Sequence, residues 1–280
     1  MAQFYDKRDV VEKYDNDIDE YPDIIHKSIM EFVIKQNKDS EDVQKYDLML
    51  DAGCGSGRST TMFSKDFKKI IGFDISSEQI RIAKAKNISE NIEFVEARES
   101  HMPASESTVD LITCGFAIQY MDVVKFVQEC KRVLKPTGCV VIYAFETSDI
   151  LPVGKSISAM PVLLSFINEM KHWSENHYPP DYEYFCRYEN VFQKISGISK
   201  SREDDLKADM FISLADLKAI IRAVPGHGMY VNWMKENKNR DTLQELGDEI
   251  KTTWGMKNVD DADIKMQMKV SIFTIILTQL

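Results

Sequence analysis

The sequence predicts an α/β fold built on a mostly parallel sheet with helices on both faces. Three observations carry this. Between residues 46 and 146, short apolar runs at 46–51, 69–74, 92–96, 109–114 and 139–145 alternate with helix-period segments at 58–66, 77–87 and 122–134. That is the rhythm of strand–helix–strand units. The first run ends in Asp51 and opens into a turn with glycine at every second position, Gly53, Gly55 and Gly57. The second run ends in another acid, Asp74, at the separation of roughly 20 residues that sets a carboxylate beside ribose hydroxyls in nucleotide-binding sheets.

The elements follow in order. Residues 1–45 read as a helical N-terminal cap, with Ile24, Ile25, Ile29 and Phe32 at helical spacing. Glycine lets a ligand lie against backbone, because no Cβ blocks the approach or the turn's angles. Ser76 or Ser77 is a good N-cap for the helix carrying Ile80, Ile82 and Ala83. Lys135-Pro-Thr-Gly138 stops the helix before strand five. From 147 the pattern changes to a proline-punctuated segment dense in aromatic residues, expected to be a helical insertion over the site. Lys200 to Asp205 reads as a charged linker, Ser213 to Val224 as a helix, 229–253 as further helices, and Lys265 to Leu280 as a late strand returning to the sheet. The expected divisions are thus the 1–45 cap, a 46–146 cofactor-binding core, a 147–206 insertion and 207–280 completing the core.

Composition narrows the function. The chain has 280 residues, 44% hydrophobic and 29% charged, with a net charge of −10. An acidic balance argues against a nucleic-acid partner, which usually shows a basic face. Lys65, Lys68 and Lys69 cluster, most simply as the solvated end of a helix. The five cysteines contain no C-x-x-C pair and read as reduced thiols rather than a disulfide framework or zinc site. His172 and His177 lack further spaced ligands, so no metal is expected. The apolar run Val270 to Leu277 falls short of the roughly 20 residues that span a bilayer, so no membrane partner is expected. A cytoplasmic enzyme is the expectation.

The D-x-G-x-G-x-G spacing differs from the G-x-G-x-x-G of dinucleotide oxidoreductases. It resembles the first motif of class I S-adenosylmethionine-dependent methyltransferases. Further segments extend the resemblance toward a small-molecule group that includes trans-aconitate methyltransferase: Leu50-Asp-Ala-Gly-Cys-Gly-Ser-Gly-Arg-Ser59, Gly72-Phe-Asp-Ile-Ser76, Phe94 to Pro103, Val109 to Asp122, Glu129 to Gly138 and Ser213 to Arg222. It implies a Rossmann-like fold with a mostly parallel seven-stranded sheet and a helical lid insertion. It also implies S-adenosylmethionine as cofactor and S-adenosylhomocysteine as product. Carried over residue by residue, it implies cofactor contacts from Tyr14, Asp51, Gly53, Gly55, Ser56, Gly57, Asp74, Ile75, Gln79, Arg98, Glu99, Gly115 and Phe116. Core packing is the competing reading for Tyr14.

Two departures from the family's pattern bear on chemistry. Ala97-Arg98-Glu99 stands where a small polar residue often reads the adenine amino group, leaving backbone or Glu99 as candidates. Gln119-Tyr120 stands where the group often has His-Trp, replacing a base with a neutral amide. Gln119, Tyr120 and His227 are the candidate catalytic residues; these three with Arg187, Tyr188 and Arg222 are the candidate acceptor contacts. Arg222, ending its helix, serves equally as a cation complementing the helix C-terminus. His227 lies in Pro225-Gly-His-Gly228, read as a flexible turn. The resemblance implies that the acceptor is a small metabolite, such as a carboxylate. The alternatives are a protein or RNA methyltransferase and a non-catalytic cofactor-binding module.

Overall fold

A computed structural model of the chain describes residues 23–36 and 45–279. Seven strands form one sheet: β1 Tyr46–Ala52, β2 Phe67–Asp74, β3 Ile92–Glu96, β4 Val109–Gly115, β5 Leu134–Pro152, β6 Ser199–Ser213 and β7 Lys265–Thr278. Their order is β3-β2-β1-β4-β5-β7-β6. The pairs from β3 through β5 are parallel, and β7 runs antiparallel to both β5 and β6. The order reverses between β1 and β4, where open α/β sheets leave a crevice at the carboxyl ends of the strands.

Alternation along the strands builds two cores. Met49, Ile70, Val141 and Tyr143 face one side, with helix α1 (Asp23–Gln36), α2 (Arg58–Thr61) and α3 (Ser77–Lys86) nearby. Leu50, Ile71, Val140 and Ile142 face the other, under α4 (Val123–Val133). Helix α4 shows why such a segment folds here. Asp122 accepts the Val124 and Lys125 N–H groups, and Val123, Phe126, Val127, Cys130 and Val133 form one buried stripe. Ser76 caps α3 through the Gln79 N–H, as its sequence suggests.

Beyond these cores, β5, β6 and β7 run on as a long antiparallel extension. Ile150, Met210, Ile212, Met266 and Met268 on one of its faces pack against α5 (Met160–His177), α8 (Leu214–Ala223), α9 (Pro225–Lys238) and α10 (Thr242–Trp254). Two short helices, α6 (Pro179–Phe185) and α7 (Glu189–Lys194), return the chain to the sheet. No described helix is long and apolar enough to cross a membrane.

Several expectations need correction. Lys200 to Asp205 is no linker but part of β6. An edge strand tolerates, and is protected by, charges that resemble a loop in sequence. The insertion's predicted limits also cut into the sheet, since β5 continues to Pro152 and β6 begins at Ser199. Helix α2 stops at Thr61 rather than 66, where the Thr61 hydroxyl bonds back to the Arg58 carbonyl and competes with helix continuation. Lys68 and Lys69 lie exposed on β2, paired with Asp47 and Glu93, instead of ending a helix. Pro225 to Gly228 opens α9 rather than forming a turn, consistent with proline's fixed φ at a first helical position.

One buried carboxylate anchors the start of β1. Asp110 accepts the N–H groups of Asp47 and Leu48, each at 2.9 Å, and the Lys135 ammonium at 2.7 Å. Asp110→Ala leaves the two N–H groups without their acceptor and Lys135 with its bond to Asp47, and should cost about 3 kcal/mol, read from urea unfolding; a loss under about 1 kcal/mol would contradict this anchoring.

Candidate active site

The site begins beneath the glycine turn. Asp51 is buried at the end of β1, and its carboxylate accepts three hydroxyls: Ser59 at 2.9 Å, Thr60 at 2.6 Å and Thr113 at 2.8 Å. These bonds tie β1 to the start of α2 and to β4. Above them, the Gly53 and Cys54 N–H groups both bond to the Phe73 carbonyl, so the turn is pinned to the end of β2. Gly53 has φ 69°, and a Cβ there would stand 2.4 Å from the Ala117 methyl. Gly57 has φ 86°, and a Cβ would stand 2.5 Å from the Phe94 ring. Both positions require glycine for conformation and space.

The turn opens onto a pocket. Asp74, at the tip of β2, accepts the Gly55 N–H at 3.0 Å and the Ser76 N–H at 2.9 Å, one on each carboxylate oxygen. Each oxygen retains acceptor capacity for a further donor. Burial raises the Asp74 pKa, opposed by N–H bonds from Ser76, Gly55 and Ile75. Beside it, Gln79 is 3% exposed, and its buried Oε1 has no hydrogen-bond partner. An unpaired buried acceptor on a pocket wall is costly unless a ligand supplies the donor. This orphan acceptor, the carboxylate and the Cβ-free turn together fit a ribose-bearing cofactor.

The structure brings most of the expected cofactor residues to one wall. Gly53, Gly55, Ser56, Asp74, Ile75, Gln79, Glu99, Gly115 and Phe116 all line it, joined by Tyr120 from the acceptor candidates. Three others lie off the wall. Asp51 is beneath the turn, occupied by hydroxyls; Gly57 packs on Phe94; and Arg98 is exposed while its neighbour Glu99 faces in. Tyr14 is outside the described residues. Cys54, Arg58, Ser59, Phe73, Ser76, Ala97, Ala117 and Met121 complete the lining. Their signal in the sequence was adjacency: each sits within three residues of a motif position, and the turns wrap round far enough to include it.

The acceptor candidates fall apart into distinct roles. Gln119 and Tyr120 lie in a 3-10 turn, Ile118–Tyr120, following β4. The Gln119 amide donates to the Phe116 carbonyl at 3.0 Å and accepts the Tyr188 hydroxyl at 2.8 Å. Arg187 faces two acids, Glu146 at 3.7 Å and Asp204 at 3.6 Å, and lies over the Phe273 ring. Arg222 is exposed in the last turn of α8, where a cation complements the helix dipole. His227 is buried and stacked on Phe185 at 5.3 Å, with Tyr184 at 6.1 Å. Burial pulls its pKa down to about 3. At neutral pH it is an uncharged imidazole and a weak base. Among the described residues, no group of three His, Cys, Asp or Glu side chains could hold a metal.

Comparison with known proteins places the chain among methyltransferase-like sequences. Residues 50–142 match the methyltransferase domain family. A Dictyostelium discoideum protein carried under a methyltransferase name is 26% identical over 243 residues, covering 83% of this chain and 85% of its own. Demethylmenaquinone methyltransferase of Staphylococcus aureus is 34% identical over 124 residues, 42% of this chain and 51% of that one. A solved Anaeromyxobacter dehalogenans protein, described as a type II methyltransferase, aligns with TM-score 0.64 at 14% identity. It covers 86% of this chain and 94% of its own, a likeness of fold.

The keystone carboxylate gives a pH test. Burial raises the Asp51 pKa above its ordinary 3.8, with Asp74 adding to the shift and three hydroxyls opposing it. The native state therefore holds the proton more tightly than the unfolded chain, a contribution lost as pH rises through the raised pKa. Asp51→Asn removes this titration. The stability difference should move in the variant's favour from about pH 4 upward, measured by paired urea titrations. A difference that stays flat, or moves toward the wild type, would contradict the raised pKa.

Proposed function

We propose that this chain, whose residues 50–142 match the methyltransferase domain family, is a class I S-adenosylmethionine-dependent methyltransferase that methylates a small-molecule acceptor held beneath the helices between β5 and β6. The cofactor supplies a methyl group on a cationic sulfur that needs no further activation. What remains for the protein is to position the acceptor and exclude water. Asp74 and Gln79 would hold the ribose hydroxyls, and Glu99, which lines the pocket, would take the adenine amino group. Phe116, Tyr120 and Met121, which line the pocket, would form the wall toward the acceptor.

The observation supporting a small acceptor is how α6 and α7 seat on the strand ends. The Tyr184 hydroxyl donates to the Phe145 carbonyl at 2.7 Å, and the Tyr188 hydroxyl to Gln119 at 2.8 Å. Phe116 meets Phe145 edge-on at 4.8 Å, with Tyr184 at 6.1 Å. Rings therefore pack behind Phe116 at this end of the pocket, a crowding that favours a small acceptor over a protein or RNA, which would need an open face. The narrower likeness to the trans-aconitate group suggested a carboxylate acceptor, which requires a counter-charge. Arg222 is exposed, and Arg187 is already matched by Glu146 and Asp204. We therefore favour an uncharged acceptor that carries its own nucleophilic atom.

Labelled S-adenosylmethionine incubated with the protein and a cell extract tests this. The label should appear in the small-molecule fraction; recovery in protein or RNA would overturn the reading. For the cofactor end, Asp74→Ala should weaken S-adenosylhomocysteine binding by about 1.5–3 kcal/mol, roughly tenfold to 150-fold, in calorimetry. The ionised carboxylate is the better acceptor for ribose hydroxyls. Wild-type affinity should therefore fall as pH drops through the raised Asp74 pKa, above the ordinary 3.8, and stay flat in Asp74→Asn. Equal pH profiles for the two would count against ribose on Asp74.

A further inference from the structure

Phe116, at the end of β4, has φ 54°, a conformation that residues with a Cβ rarely adopt. So do two consecutive residues of the overlying segment, Arg187 at 53° and Tyr188 at 59°. Strained backbone of this kind persists where its surroundings over-determine it, and it concentrates at functional sites. One side chain connects the two places. Gln119 donates from Nε2 to the carbonyl of Phe116 and accepts at Oε1 the hydroxyl of Tyr188. Tyr188 is fully buried, and the turn carrying it is held independently. The Tyr188 N–H bonds to the Glu183 carbonyl at 3.0 Å, and the Arg202 guanidinium to the Arg187 carbonyl at 2.6 Å.

We propose that Tyr188 and Gln119 are positioning residues, a strut through which α6 and α7 fix the wall of the cofactor pocket. The Gln119 amide is engaged at both ends, so it acts as a tie rather than as a base or acceptor contact. Through it, the buried tyrosine holds the Phe116 carbonyl, and with it the turn whose Tyr120 and adjoining Met121 face the pocket. Removing the hydroxyl frees one end of the amide and loosens the wall without touching any group that meets the cofactor. The proposal goes beyond the assignment of the acceptor and holds whichever acceptor is methylated.

Calorimetry with S-adenosylhomocysteine tests it, using Tyr188→Phe, Gln119→Met and the double variant. Each single variant should bind about tenfold more weakly, the equivalent of one hydrogen bond. Because the two residues act in series, the double variant should bind no more weakly than either single one. A purely structural tyrosine would lower the melting temperature and leave affinity within twofold of wild type. That result, or losses that multiply in the double variant, would overturn the strut. Should Tyr188→Phe fail to fold, Gln119→Met decides alone by the same criterion. A wild type that binds no S-adenosylhomocysteine would overturn the pocket assignment and the strut together.

Discussion

A carboxylate almost wholly buried from water organises the glycine-turn end of this protein. Asp51 gathers hydroxyls from α2 and β4 onto the last residues of β1, and the glycine turn rests on that knot. Burying a charge is expensive unless hydrogen bonds replace the lost water, and here three of them do. With the knot in place, Gly53 lies against Ala117, Gly55 reaches Asp74, and the crevice between β1 and β4 keeps its floor. Asp51 contributes to the pocket through the shape it imposes on the turn.

The second organising feature is the length of β5, β6 and β7. Strands that ended with the core sheet would leave the chain's last hundred residues without a platform. Their extension gives α5, α8, α9 and α10 an apolar face to cover, so the helical layer has its own core. The route from α5 back to β6 then runs across the strand ends, which brings Tyr184 and Tyr188 onto Phe145 and Gln119. The same extension that stabilises the helical layer thus seats Tyr184 and Tyr188 on residues at the ends of β4 and β5.

Much of the core was readable because its signals are local. Period-two apolar runs, a caps-and-breakers pattern and the glycine spacing each report on a few neighbouring residues, and β1 to β4 followed. The family resemblance was specific for the cofactor, and the methyltransferase domain match covers the same stretch. What escaped depends on contacts distant in sequence. Residues 146–152 form strand only because β7 pairs with them more than 110 residues later. The charged start of β6 reads as a loop until its place at the sheet edge is known. Arg222 and Arg187 looked like counter-charges because sequence shows a cation but not its exposure or its acidic neighbours. Gln119 looked free for the same reason.

The most direct test of the account is a crystal structure with S-adenosylhomocysteine bound. The ribose hydroxyls should lie on the Asp74 carboxylate, a ligand donor should meet the Gln79 Oε1, and the thioether sulfur should face Phe116 beneath α6 and α7. Ligand bound away from the glycine turn, or a sulfur directed into open solvent, would contradict it.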